Sequence, residues 1–163
     1  MVTEGQAAEY FLRLWPMECP DGVVVELRER AESCPFRAVI GWDGHAWRIL
    51  APTGMDPEEL FTMLWHEAHH VRAGEIARQV YDFALARALM AGRQVVPVAR
   101  ATVTGACKAT VRTEAARGQE TDAWAFGYKM AASWWGTLRD WGDVDQAAAV
   151  AWSTWRKSKE KGG

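Results

Sequence analysis

The chain is 163 residues long, carries a formal net charge of −2 and is 25% charged, with acids and bases interspersed. That length can bury a core as one domain over residues 1–163, and the mixed charge leaves no basic face for nucleic acid. No stretch approaches the ~18 apolar residues of a membrane span, and Met1–Gly5 lacks the basic-then-apolar start of a leader, so no membrane partner is expected. Cys19, Cys34 and Cys107 are odd in number and widely spaced, which suits free thiols in a reducing compartment, so a cytoplasmic location is expected. The ten tryptophans fall mostly on apolar helical faces and read as core filling; the competing reading is a partner-binding surface.

In chain order, Glu4 to Trp15 predicts a short helix ended by Pro16, and Pro16 to Gly22 a loop. Val23–Arg28 is β-branched and alternating, with Val23, Val25 and Leu27 on one face. Between Phe36 and Leu50 two apolar runs flank Asp43-Gly44, the pair that a two-residue type I′ turn wants. That turn pairs Trp42 with His45, Ile40 with Trp47 and Ala38 with Ile49, all on one face, and sends Arg37 and Arg48 to the other. The expectation is an α+β fold: a small antiparallel sheet of about three strands packed on a long helix, followed by two or more C-terminal helices.

Asp56 and Pro57 open that helix as N-cap and first helical residue. Inside it lies His66-Glu67-Ala68-His69-His70, which fits the H-E-x-x-H pattern. Four residues advance a helix by ~400° and ~6 Å, so His66 and His70 share one stripe and can reach a single ion, with Glu67 close enough to address a water on it. Leu60, Phe61, Leu64, Trp65, Ala68 and Val71 form an apolar back on the opposite side, so the His face is expected to look into a cleft. The helical pattern continues through Ile76, Val80 and Leu85 to about Ala91, with Gly74 as a place where it can break. Residues 92–113 are mixed, with a short strand expected at Val95–Val98 and a segment crossing the cleft. Helix is expected again from Glu114 or Gln119 to Leu138, and from Asp143 to about Lys157, before a frayed charged tail.

Two histidines need a third protein ligand, with one position left open. His69 lies ~60° from His66 on the side away from Glu67, His45 lies at the hairpin turn, and Glu75 falls opposite His66 unless the helix ends first. Glu120 is the better candidate, with Glu114 the alternative: Glu120 shares a buried face with Ala123, Trp124, Gly127, Ala131, Trp135 and Leu138. The small residues Ala123, Gly127 and Ala131 allow a close helix approach, which Ala73, Gly74 and Ala77 could answer. The other reading of Glu120 is a carboxylate near a helix N-terminus, held by the dipole or by Arg117.

His66-Glu67-x-x-His70 followed by Glu120-x-x-Ala123 resembles the gluzincin branch of the zincin-like metallopeptidases, where a second helix supplies the third ligand. The string from Glu120 to Gly127 is similar to the Glu-x-Glu-Ala-Asp-x-Phe-Ala string of ImmA/IrrE-type peptidases, which act on repressor proteins. The resemblance implies a zincin-like fold and a zinc metallopeptidase acting on a protein or peptide substrate. It implies Zn2+ on His66, His70 and Glu120, and Glu67 as general base. Tyr128, ~80° from Glu120 around the helix, is the candidate oxyanion donor, with packing as its other role. Trp47–Leu50 is the candidate edge strand for an extended substrate. Two features depart from the family: Trp124 stands where it has an Asp that accepts a ligand imidazole's N–H, and 50 residues separate His70 from Glu120. The alternative is a non-catalytic zincin-like module, protein-binding or virion-associated, with Trp-rich helices.

Overall fold

The computed structural model describes residues 1–29, 38–90 and 114–162. Their elements are α1 (Glu4–Leu14), a 3₁₀ turn (Trp15–Met17), β1 (Val23–Arg28), β2 (Val39–Trp42), β3 (Trp47–Pro52), α2 (Pro57–Arg72), α3 (Phe83–Met90), α4 (Glu114–Trp141) and α5 (Val144–Gly162). The class is α+β, as the patterning predicts. The expected Val95–Val98 strand, the cleft-crossing segment and Arg37 lie outside the described residues. None of the described helices is long and apolar enough to cross a membrane.

α1 begins at a reciprocal cap, Thr3 accepting from the Gln6 backbone while the Gln6 side chain accepts from Thr3 N–H. It buries Tyr10, Phe11 and Leu14 against α2 and α5, each worth roughly 1.5–3 kcal/mol of transfer free energy. Four tryptophans (Trp15, Trp47, Trp65 and Trp135) are buried in the same core and five more pack against it, so the core reading of the Trp content holds for all but the exposed Trp141.

The sheet has three strands, in the order β1-β3-β2, and is mixed rather than antiparallel: β1 runs parallel to β3, and β2 antiparallel to it. Chain direction still alternates from strand to strand. The second strand of the hairpin, not the first, lies beside β1, because β3 is the most apolar strand and central placement buries all of it except Arg48. Trp47–Leu50 is therefore interior to the sheet and cannot be the edge strand that accepts a substrate.

The hairpin register also differs from the expected one by two residues, with Trp42 opposite Trp47 and Ile40 opposite Ile49. The turn is centred on Gly44-His45, closed by Asp43 N–H donating to Ala46 O. Only Gly44 has positive φ there, whereas type I′ needs it at both central residues. Asp43 instead turns its carboxylate onto the His45 and Ala46 amides. A two-residue shift preserves side-chain parity, so Ile40, Trp42, Trp47 and Ile49 still face the helical core.

α2 is capped by Asp56, whose side chain accepts from Glu58 and Glu59 N–H, with Pro57 at the first position. It stops at Arg72, because Gly74 takes φ +70 and reverses the chain; the apolar pattern beyond it belongs to a return run and to α3. That run bridges Val80 to Trp42 at the β2 edge. α5 continues to Gly162 rather than fraying at Lys157.

On the sheet face opposite the core, Glu26 of β1 receives Arg28, Arg48 and the α3 residue Arg87. Arg87, with Arg28 and Arg48, holds the Glu26 carboxyl down to about 2 from an ordinary 4.5. A depressed carboxylate contributes stability above its unfolded pKa and loses it as pH falls through the folded one. With the side chain 21% exposed, the contribution after solvent screening is about 1–2 kcal/mol. Thermal melts of wild type and Glu26→Gln should therefore differ at pH 7, converge as pH falls from about 4.5 to about 2, and coincide below. A gap unchanged at low pH would contradict the role of this ion cluster.

Candidate metal centre

α2 and α4 pack more closely than side chains normally allow. A Cβ at Gly127 would stand 2.6 Å from Thr62 O and 3.3 Å from His66 N. Ala123 and Ala131 flank that point, both buried. The expected use of small residues on α4 is thus met, but its counterpart on α2 is the backbone from Thr62 to His66. Ala73, Gly74 and Ala77 play no part as a helical face, because α2 has already ended.

This crossing brings Glu120 onto the two histidines. His66 Nε2 is 3.1 Å from Glu120 Oε2, His70 Nε2 is 3.0 Å from Glu120 Oε1, and the two Nε2 atoms are 3.4 Å apart. Neighbouring donors around a tetrahedral zinc with bonds of ~2.0–2.1 Å lie ~3.3–3.4 Å apart, so the residues fit such an ion. Two imidazole nitrogens facing each other at this distance repel through their lone pairs unless a proton or a cation lies between them. Among the described residues this is the one His/Cys/Asp/Glu group close enough to hold a metal. The His stripe does not face an open cleft at His66, which α4 covers to 4% exposure; the cluster opens at Glu120, 42% exposed.

The electrostatics agree with a site prepared for positive charge. Hydrogen bonds from His66 and His70 hold the Glu120 carboxyl well below the usual carboxylate range. Burial opposes a charge on His70, but its bond to Glu120 and the charges of Glu67, Glu120 and Glu75 outweigh it and raise its pKa. Burial pushes Glu67 up, with the Glu120 charge adding and the two imidazoles opposing. Glu67 thus feels the whole cluster, as its place one residue after His66 requires.

The other candidates separate clearly. His69 packs its ring 5.2 Å from Phe126 of α4 and is not part of the cluster. His45 stays at the β2–β3 turn. The Glu114 side chain and Arg117 lie outside what the structure describes. Tyr128 is 64% exposed and eight residues, ~12 Å, along α4 from Glu120; its ring is 6.0 Å from Trp124. Trp124 itself lies over His66, ring centroids 4.2 Å apart, and His66 Nδ1 is buried without a hydrogen-bond partner among the described residues. An open groove of about 580 Å³, lined by Thr62, Trp124, Tyr128, Glu58 and Glu59 among others, runs from Trp124 toward the start of α2. Glu75, set aside on the helical wheel, comes to 3.4 Å from His70 Nδ1; the signal for it was Gly74, a C-cap glycine that turns the next residue back onto the helix end.

No family model, curated protein or solved structure matches the chain.

Gly127→Ala should lower stability by about 1–3 kcal/mol, because a methyl cannot fit against a backbone carbonyl without separating the helices. Gly118, on the same helix with open space around it, should gain up to about 1 kcal/mol on conversion to Ala. Denaturant melts of the two variants check this; equal effects would contradict the close crossing.

Proposed function

We propose that this chain is a zinc-dependent metallopeptidase that hydrolyses peptide bonds in a protein or peptide substrate. The observation that carries the reading is the convergence of His66 Nε2, His70 Nε2 and the Glu120 carboxylate within 3.0–3.4 Å of one another, with Glu67 beside them. It is supported by the H-E-x-x-H pattern on one helix and a glutamate from a second, the arrangement that the resemblance to gluzincins implies.

In this reading neutral His66 and His70 and ionised Glu120 hold the metal. A zinc ion there would supply Lewis-acid chemistry, acidifying a water to a pKa of ~7 and polarising the substrate carbonyl. Glu67 would take the proton of the attacking water as the water oxygen bonds to the carbonyl carbon. It then delivers the proton to the nitrogen as the C–N bond breaks, which regenerates the carboxylate and consumes one water. Tyr128, the candidate donor to the carbonyl oxygen, lies on the wall of the groove beside Trp124, ~12 Å along α4 from Glu120, too far to serve a carbonyl held at the cluster. The odd number and wide spacing of Cys19, Cys34 and Cys107 suit a reducing compartment, and we propose the cytoplasm.

One observation favours a second reading, a zinc-holding module that binds a partner protein without catalysis. Trp124 in place of an acceptor leaves His66 Nδ1 buried and without a partner among the described residues, and an unfixed ligand imidazole suits structural binding better than turnover. The two readings part at Glu67. Zinc-loaded wild type and Glu67→Gln should each contain one zinc, while cleavage of a peptide library, followed by mass spectrometry, should fall at least ~10²-fold in the variant. A zinc-loaded wild type that cleaves nothing, or a variant as active as wild type, would overturn the peptidase reading.

A further inference from the structure

The end of α2 closes in a Schellman arrangement. Gly74 N–H donates to Val71 O at 3.0 Å and Glu75 N–H donates to His70 O at 2.9 Å, with Gly74 at φ +70. That geometry seats the residue after the glycine against the side chain of the one that opens the last turn, a contact usually made by two apolar groups. Here the two residues are Glu75 and His70. Both side chains are 12% exposed, and Glu75 Oε1 lies 3.4 Å from His70 Nδ1. That oxygen is buried and has no hydrogen-bond partner among the described residues; a buried carboxylate oxygen needs a donor, and the His70 Nδ1–H, 3.4 Å away, is placed to supply one. The opposite ring nitrogen, Nε2, faces Glu120 and His66.

We propose that Glu75 is a positioning residue that holds the His70 imidazole with its proton on Nδ1, so that the Nε2 lone pair faces the metal position. The inference rests on the metal reading of the cluster. It assigns to a residue just past the end of α2 the acceptor role that Trp124, a donor only, cannot fill, and it fills that role for one imidazole and not the other. His66 is oriented instead by packing under the Trp124 ring. The two ligand histidines are therefore held by different means.

The test is a zinc titration of the full chain against a competing chelator, for wild type, Glu75→Gln and Glu75→Ala, paired with NMR of the zinc-loaded forms. Wild type should show a His70 Nδ1–H proton protected from solvent exchange. Glu75→Ala should lose that protection and bind zinc ~10–100-fold more weakly, and Glu75→Gln, which keeps an acceptor oxygen of the same reach, should fall between. A helix-end defect alone would lower the melting temperature of both variants without this order. If wild type binds zinc and the Glu75→Gln and Glu75→Ala affinities stay within twofold of it, the positioning role is overturned and the metal site stands. If Glu75→Ala does not fold, Glu75→Gln decides by the same limit. If wild type binds no zinc, the metal reading fails and this inference with it.

Discussion

The close crossing of α2 and α4 is the constraint on which the rest of the structure depends. A single position without a side chain, Gly127, lets the backbone of α4 touch the carbonyl of Thr62, and about two turns earlier on α4 the Glu120 carboxylate reaches His66 and His70. Moving the helices apart by even a methyl group would open the donor distances. The same crossing buries α2 on nearly every side from Leu60 to His66: its back lies on the sheet and α1, and its polar stripe lies under α4.

A His–Glu–His cluster of this kind is costly without a proton or cation, because it brings two covered imidazole nitrogens together. The fold accepts that cost in one place and surrounds it with rigid packing. Tyr10, Phe61, Trp65, Phe126 and Trp135 stack around the crossing. Tyr10 also donates to Trp134 O, which ties α1 to α4. A charge centre on a stiff aromatic core keeps its geometry when an ion enters or leaves, which is what a binding or catalytic site requires. The exposure of Glu120 leaves one side of the cluster reachable from solvent, so the cluster is covered at His66 and open at Glu120.

Most of what was legible in the sequence was local. The cap at Asp56, the apolar back of α2 and the face carrying Glu120 all follow from helical spacing and end chemistry, and the structure has them. The strand order was not legible, since which hairpin strand lies next to β1 depends on burial summed over the sheet, not on any short stretch. The turn was misread by one residue because Asp43-Gly44 looks like a type I′ pair, whereas the Asp43 side chain binds the turn amides itself. Glu75 was hidden because apolar residues keep helical spacing on both sides of Gly74; only the positive φ of that glycine shows that the helix has stopped and that Glu75 has swung back to His70.

X-ray absorption at the zinc edge of the metal-loaded chain measures the central claim most directly. The account predicts a shell of two imidazole nitrogens and carboxylate oxygen at ~2.0–2.1 Å, with the carboxylate contribution lost in Glu120→Ala. A shell containing sulfur, or one unchanged by removing Glu120, would contradict it.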